Sequence, residues 1–295
     1  MLQDFEGRVA VVTGAGSGIG LALARRFARE GMKLVLADID QAALDAALAE
    51  LRASGCEATG MRVDVSNADA VEELANLTYA TFGAAHLLCN NAGVVPSGRF
   101  RPVWDYALED WRWSLGVNLM GVVHGVRSFT SRMLAGGEPG HIVNTASIAG
   151  LSSGAYSAPY GAAKHAVVRM TEALYASLSE RKAPIGASVL CPGVVRTNIY
   201  HSERNRPKEL VPADGVVKES PEIDAIAAKI HPSGMPPEDV AELVVNAVRS
   251  GQFYILTTDS HDAAIRHRME SILSRANPVF DDVLALSQQE NRERS

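Results

Sequence analysis

The sequence predicts an α/β fold, in which an open parallel β-sheet of about seven strands carries helices on both faces. Short runs rich in β-branched residues alternate with stretches whose apolar residues recur at helical spacing, from Arg8 to Leu256. A glycine-rich turn follows the first run, which is typical of a Rossmann-type, doubly wound sheet. Because no repeat or shift in composition divides the chain, we expect residues 1–295 to form a single domain.

The first predicted unit is a strand, a turn and a helix. The strand Arg8–Thr13 is apolar and β-branched, as expected for a strand buried on both faces of a parallel sheet. The turn that follows reads Gly14-Ala15-Gly16-Ser17-Gly18-Ile19-Gly20. Its glycines let a ligand approach the main chain at a helix N-terminus, where free N–H groups and the helix dipole favour a diphosphate. This turn is therefore a candidate dinucleotide site.

An acidic residue follows the second predicted strand, Lys33–Ala37. Asp38 stands about 18 residues beyond Gly20, an interval that suits an acid accepting hydrogen bonds from the adenosine ribose. Its charge would repel a 2′-phosphate, and neither Ser17 nor Ile39 supplies an arginine to bind one. We therefore expect the cofactor to be NAD rather than NADP.

The same alternation predicts the remaining elements. Further strands are expected at about residues 58–63, 87–89, 141–146, 187–190 and 253–256. Further helices are expected at about residues 41–53, 67–79, 108–134, 238–249 and 263–273, with another that contains Tyr160 and ends near Arg181. Ligands of open α/β sheets bind outside the carboxyl ends of the strands. Asp64-Val65 and Asn91-Ala92-Gly93, which follow two of these strands, are therefore expected beside the nucleotide.

The stretch from Ser147 to Lys164 contains the candidate reaction centre. Tyr160 and Lys164 are four residues apart, which places both side chains on one face of a helix. A nearby ammonium favours the ionised form of a phenol, so Tyr160 could serve as an acid/base near neutral pH. Because the same spacing also occurs in surface pairs without a catalytic role, the surrounding motifs must decide between the two interpretations.

These motifs, in this order, resemble those of the short-chain dehydrogenase/reductase family over residues 8–256. Asn118, Ser147, Tyr160 and Lys164 resemble its catalytic tetrad. Its cofactor turn, fourth-strand motif and nicotinamide-side loop are matched by Thr13-Gly14-x-x-x-Gly18-x-Gly20, Asn91-Ala92-Gly93 and Pro192-Gly193-x-Val195-x-Thr197. The resemblance implies an NAD-dependent oxidoreductase that interconverts a secondary alcohol and its ketone by hydride transfer.

The family mechanism implies a role for each residue of the tetrad. Tyr160 would exchange the proton of the substrate hydroxyl, and Ser147 would hold the substrate oxygen. Lys164 would bind the nicotinamide ribose and favour the tyrosinate, while the backbone near Asn118 would hold a water that relays the proton. The cofactor contacts implied by the resemblance are Gly14, Ser17, Gly18, Ile19, Gly20, Asp38, Asp64, Val65, Asn91, Ala92, Gly93, Tyr160, Lys164, Pro192, Gly193, Val195 and Thr197.

Residues 198–237 form a long segment interrupted by prolines, and loops of this length in compact domains are often functional lids. We expect a lid that closes over a bulky, largely apolar alcohol or ketone, and the family pattern suggests an aromatic, terpenoid or steroid-like one. Its expected apolar contributors are Ile199, Tyr200, Leu210, Val211, Ile223, Ile226 and Ile230. Residues 258–295 are expected to form a C-terminal helical extension.

Other interpretations of the same residues remain open. The chain could be an NADP-preferring ketone reductase, or an NAD-binding sensor or scaffold, although an intact Ser147, Tyr160 and Lys164 argue against the latter. A serine hydrolase has little support because Ser147 lacks the flanking glycines of a nucleophile elbow. Tyr156 is interpreted as a pocket-wall or packing residue. Trp104, Trp111 and Trp113 are interpreted mostly as core or subunit-contact residues, with the alternative that one of the three lines the pocket.

Composition argues against several other classes. The net charge is −6 and no basic run is interleaved with aromatic residues, so nucleic acid is not an expected partner. Neither a signal-peptide pattern nor an apolar run of membrane-spanning length is present, so we expect a cytoplasmic protein without membrane contact. The three cysteines are widely spaced and no His-x-x-x-His pair occurs, so no disulfide framework or metal site is expected. The family resemblance implies a homodimer or homotetramer.

Overall fold

The computed structural model describes residues 2–154, 157–221, 224–225 and 233–278 of the chain. Within these residues, seven parallel strands form one sheet with helices on both faces, which confirms the predicted Rossmann-type fold. The strands are β1 (Val9–Thr13), β2 (Lys33–Asp38), β3 (Ala58–Arg62), β4 (Leu87–Asn90), β5 (Gly140–Thr145), β6 (Ile185–Cys191) and β7 (Tyr254–Leu256). The helices are α1 (Gly18–Arg29), α2 (Gln41–Ala53), α3 (Ala68–Phe82), α4 (Leu108–Leu115), α5 (Gly121–Gly136), α6 (Ala158–Glu180), α7 (Pro237–Ser250) and α8 (Asp262–Ser274).

The strand order is β3-β2-β1-β4-β5-β6-β7. From β1 the strands β2 and β3 extend the sheet towards one edge, whereas β4 to β7 extend it towards the other, so the strand order switches between β1 and β4. At this switch point Val12 pairs with Leu36 on one side and with Cys89 on the other. The loops that leave β1 and β4 turn to opposite faces of the sheet, which opens a crevice at their carboxyl ends. Ligands of doubly wound sheets bind in this crevice.

The core lies on both faces of the sheet because its strands are apolar throughout. All residues of β1 and β4 are buried. On one face the strands pack against α1 and α7, where Phe27 and Val244 are fully buried. On the other face they pack against α3 and α5, where Leu74 and Phe129 are fully buried. This two-sided burial fixes the strand ends that carry the predicted site residues.

The predicted helix at 108–134 is interrupted. It consists of α4 and α5 joined by a π-helical turn, Gly116–Met120, that has Asn118 at its centre. The turn inserts extra backbone into the helix, and such insertions are frequent at functional sites. It lies beside the loop that follows β4, because Asn118 Nδ2 donates to the carbonyl oxygen of Val94 at 2.8 Å.

The C-terminal part is described as far as residue 278. α8 occupies the predicted position, but none of its residues is buried, and Met269, Ile272 and Leu273 are exposed. No helix in the described part of the chain is both long and apolar enough to cross a membrane. Several predicted features lie outside the described residues, namely Tyr156, Ile223, Ile226, Ile230 and the end of the C-terminal extension.

Candidate active site

A cavity of about 600 Å³ opens at the carboxyl ends of the strands. It runs from the glycine-rich turn after β1, past the loops after β4 and β5, to the segment after β6. The structure therefore brings the separate sequence motifs together in one place. Of the predicted site residues, all border this cavity except Gly20 and Asn118, which lie behind its wall.

The glycine-rich turn presents its main chain to the cavity. Gly14 and Gly18 have φ angles of +66° and +54°, a region that L side chains rarely adopt. A Cβ atom on Gly14 would lie 2.9 Å from Ala92 Cα, so the turn and the loop after β4 can touch only without a side chain there. Gly20 has a packing role, since a Cβ atom on it would lie 2.0 Å from the carbonyl oxygen of Gly14. The N-terminus of α1 therefore faces the cavity with free N–H groups, an arrangement suited to a phosphate.

Asp38 is held beside this turn by main-chain donors. Its Oδ2 accepts from Gly16 N at 2.8 Å, and its Oδ1 accepts from Asp40 N at 2.9 Å. A Cβ atom on Gly16 would lie 2.9 Å from the same Oδ2. The carboxylate is thus fixed at the cavity wall, where it can accept hydrogen bonds from a ligand hydroxyl.

His124 is a residue that sequence reasoning missed on this side of the cavity. It is buried on α5, and its Nδ1 lies 2.9 Å from the carbonyl oxygen of Val65. Because a carbonyl can only accept, Nδ1 carries the proton. The neighbouring Gly121 leaves room for Val65, since a Cβ atom there would lie 2.7 Å from Val65 Cγ2. His124 and Gly121 therefore position Val65, a residue of the cavity wall, from behind that wall.

Tyr160 and Lys164 project from the first turns of α6 and are almost fully buried, with exposed fractions of 8% and 2%. Lys164 Nζ lies 5.7 Å from the centroid of the Tyr160 ring and donates to the carbonyl oxygen of Thr145 at 2.8 Å. Ser147 follows β5, and its Oγ accepts from Ala149 N at 3.2 Å. The three side chains converge on the floor of the cavity.

Burial dominates the ionisation of this pair. Burial raises the pKa of Tyr160 to about 12, although the hydrogen bond with Ser147 acts in the opposite direction. Burial also lowers the pKa of Lys164 to about 8. Burial is the largest effect on the Tyr160 pKa in the protein alone, and it acts against the tyrosinate that the sequence analysis expected Lys164 to favour. That role of Lys164 stays a prediction for the protein with NAD bound.

Asn118 lies behind the cavity wall, where its side chain forms hydrogen bonds with two segments of main chain. Its Nδ2 donates to the carbonyl oxygens of Val94 and Ser114, and its Oδ1 accepts from Val94 N at 3.1 Å. Gly93 separates it from Lys164, since a Cβ atom on Gly93 would lie 3.0 Å from Asn118 Oδ1 and 3.5 Å from Lys164 Nζ. The side chain thus joins the π-helical turn to the loop after β4.

The far part of the cavity is lined mainly by apolar and aromatic side chains. Among the three tryptophans, for which the sequence left both a core and a pocket position open, Trp113 is buried and also borders the cavity. The Arg206 guanidinium lies 4.2 Å from its ring centroid. Trp104 by contrast is exposed. Other wall residues that sequence reasoning missed include Val94, Val95, Arg99, Phe100, Val117 and His261. No local pattern distinguishes them from core or loop residues, because only the fold brings them to the cavity.

Only some of the residues predicted to face the substrate from the segment after β6 border this part of the cavity. Ile199 and Tyr200 border the cavity. Leu210 and Val211, also expected to face the substrate, lie outside the wall, and Val211 is exposed. A short helical turn, Lys208–Leu210, carries the chain away from the cavity at this point.

Comparisons with known proteins identify the family of the chain. Residues 8–208 match the family described as short chain dehydrogenase. The chain is 34% identical over 282 residues to a C alpha-dehydrogenase of Sphingobium sp., which covers 95% of this chain and 90% of the relative. It is 38% identical over 285 residues to the 1-deoxy-11-beta-hydroxypentalenate dehydrogenase of Streptomyces exfoliatus, covering 95% and 90%.

A solved structure extends the likeness to three dimensions. It is a short chain dehydrogenase/reductase from Burkholderia phymatum in complex with NAD. The two chains are 45% identical with a TM-score of 0.89, over 94% of this chain and 98% of the other. The chain belongs to the short-chain dehydrogenase/reductase family of oxidoreductases.

Proposed function

We propose that the protein is an NAD-dependent oxidoreductase that interconverts a bulky, largely apolar secondary alcohol and its ketone. The observation that carries this proposal is the convergence of Ser147, Tyr160 and Lys164 on the floor of one cavity. That cavity joins a phosphate-binding turn to an aromatic wall. Such a site can hold a dinucleotide and an apolar substrate side by side, with the reacting atoms close to a proton donor and acceptor.

The residues at the turn fit NAD. The glycine cradle and the N-terminus of α1 would take the diphosphate, and the fixed carboxylate of Asp38 would accept from the adenosine ribose hydroxyls. Asp64 and Val65 would border the adenine, while Val195 and Thr197 would hold the carboxamide. Bound NAD would supply the hydride chemistry, and the protein would orient it. The NAD complex of the Burkholderia phymatum relative supports this assignment.

The protein's own groups would move the proton. With NAD bound, the phenolate of Tyr160 would take the proton of the substrate hydroxyl, while Ser147 donates to the substrate oxygen. Lys164 would bind the nicotinamide ribose with the ammonium protons that Thr145 leaves free. Backbone oxygens of the π-helical turn at Asn118 would bind a water through which the proton leaves.

The apolar, aromatic wall supports a bulky substrate. The name of the Streptomyces exfoliatus relative specifies a hydroxylated pentalenate, which supports an alcohol as the reacting group. The test mixes the protein and NAD with a panel of secondary alcohols, from small alicyclic to aryl and steroid-sized, and follows the absorbance of reduced nicotinamide. We expect turnover that is fastest with the large apolar alcohols. Binding of NAD without turnover of any alcohol would instead favour the sensor or scaffold interpretation.

The choice of NAD over NADP gives a first prediction. Replacing Asp38 by alanine removes the acceptor for the ribose hydroxyls and the charge that repels a 2′-phosphate. We expect the Kd for NAD to rise by about tenfold, roughly 1.4 kcal/mol, and the preference over NADP to narrow. Titration of both cofactors by fluorescence measures this. Equal affinity of the unaltered protein for the two cofactors would contradict the assignment.

We further propose a homodimer or homotetramer that uses the long helices α4, α5 and α6. Leu108 on α4, Met120 at the end of the π-helical turn and Tyr175 on α6 are exposed, although they are large and apolar. Association would remove this surface from water. We expect light scattering to give a mass of two or four chains, and a monomer at micromolar concentration would contradict this prediction.

A further inference from the structure

An ion pair fastens the segment after β6 to the loop after β4. Glu219 Oε1 accepts from Arg99 Nε at 2.7 Å, and both carboxylate oxygens accept from Arg99 N at 3.1 and 3.2 Å. The side chains of Arg99 and Glu219 are only 7% and 11% exposed. Glu219 therefore holds the main chain and the side chain of Arg99 at the same time.

The same guanidinium supports a residue of the cavity wall. It lies 4.6 Å from the centroid of the Tyr200 ring, a cation–π distance. Tyr200 borders the cavity, as do Arg99 and Tyr160. One guanidinium thus contacts both Glu219 and Tyr200, which connects the Tyr200 ring to the ion pair.

The main chain of Arg99 also supports the catalytic helix. Its carbonyl oxygen accepts from Ser157 N at 2.5 Å and from the Tyr106 hydroxyl at 3.0 Å. Ser157 immediately precedes α6, three residues before Tyr160, and has a φ angle of +38°. This left-handed conformation is uncommon for a residue with a side chain, so it must be held by its neighbours. Hydrogen bonds therefore connect Glu219 through the main chain of Arg99 to Ser157, the residue that precedes the catalytic helix.

We propose that Glu219 and Arg99 are positioning residues that place Tyr200 against the substrate and the first turn of α6, with Tyr160, against the substrate oxygen. This inference rests on the proposed function, and it makes Tyr200 a determinant of substrate size. An aromatic ring held from one side by a cation gives a rigid apolar wall, which suits a substrate that carries a large apolar body. The small alcohols bury less apolar surface against the Tyr200 ring, so they depend mainly on the alignment of Tyr160.

The test uses Glu219→Gln and Arg99→Met, with Glu30→Gln as the matched control. Glu30 forms a similarly buried ion pair with Arg26, with side chains 18% and 16% exposed, but it directly follows the C-terminus of α1 and does not border the cavity. We expect both test variants to lower kcat roughly 10- to 100-fold for large and small alcohols, because Tyr160 loses its alignment. KM should rise about tenfold for the large alcohols only, since one lost apolar contact changes binding by about that factor. The Kd for NAD should match that of the control.

A conservative variant separates the two effects. In Arg99→Lys the charge can still pair with Glu219, but the planar group that covers Tyr200 is lost. We expect kcat to recover towards the unaltered value while KM for the large alcohol stays high. Kinetic constants of all three variants that match those of Glu30→Gln would overturn the proposal.

Failure of the proposed function is distinguished by a measurement that needs no substrate. Hydrogen exchange of the amides at 157–161 and 199–205 reports whether Glu219 holds these segments. We expect faster exchange in Glu219→Gln than in Glu30→Gln at both segments. If no alcohol is turned over but exchange rises as expected, the positioning role stands and the reaction assignment fails. Unchanged exchange would overturn the positioning role itself.

Discussion

Replacing Tyr160 by phenylalanine is expected to lower kcat for alcohol oxidation about a thousandfold, while NAD still binds. The change removes one oxygen atom from a buried side chain of α6 and keeps its aromatic ring. Without that oxygen no side chain on the cavity floor stands ready to take the substrate proton, and general acid/base catalysis contributes roughly 10²- to 10⁴-fold. Steady-state kinetics with the best alcohol of the panel measures the loss.

The control is Tyr175→Phe, which makes the same chemical change on the same helix. Tyr175 is 45% exposed and does not border the cavity. We expect its kinetic constants to remain within about twofold of the unaltered enzyme, because the ring that we assign to the subunit contact is kept and the lost hydroxyl does not border the cavity. A Tyr160→Phe variant that retained a tenth or more of the original kcat would exclude Tyr160 as the acid/base.

The strands and helices of the fold could be predicted because their signals are local. β1 and β4 are buried on both faces and consist of continuous apolar runs. The π-helical turn could not be predicted, since one inserted residue hardly changes the spacing of apolar residues between 108 and 134. Asn118 at its centre was identified only through the resemblance of the ordered motifs to those of a family.

Residues of the substrate wall could not be predicted for a different reason. Trp113 has the same local pattern whether it faces a core or a cavity, and the structure shows that it does both. Arg99 and Glu219 are 120 residues apart, so their pairing depends on how the loops after β4 and β6 meet. Motifs at strand ends are readable from the sequence, whereas contacts between two loops require the fold.

Replacing Lys164 by methionine is expected to lower kcat by at least a hundredfold, because an ammonium beside the substrate and the phenol would be lost. The same change gives a second, independent signature in stability. Burial lowers the pKa of Lys164 from 10.5 to about 8, and the side chain is only 2% exposed, so solvent screens little of this effect. The shift corresponds to roughly 3 kcal/mol against the charged form in the folded protein.

The sign of the pH dependence follows from proton binding. Below about pH 8 the lysine is protonated in both the folded and the unfolded chain, and the folded state bears the full penalty. Between about pH 8 and 10.5 the unfolded chain still binds the proton that the folded protein has released, so stability rises with pH. The methionine variant has no such proton. The unfolding free energy of the unaltered protein should therefore increase relative to that of the variant across this pH range.

Urea unfolding without cofactor at pH 7 and pH 10 measures the difference, which we expect to change by about 2 to 3 kcal/mol in favour of the unaltered protein. If the unfolding free energies of the two proteins changed in parallel with pH, the pKa of Lys164 would not be perturbed by burial. At pH 7 the methionine variant leaves the carbonyl oxygen of Thr145 without its lysine donor, which costs about 1 to 3 kcal/mol, but it also removes the buried charge. The two terms act in opposite directions, so we expect the free energy of unfolding of the methionine variant at pH 7 to lie close to that of the unaltered protein.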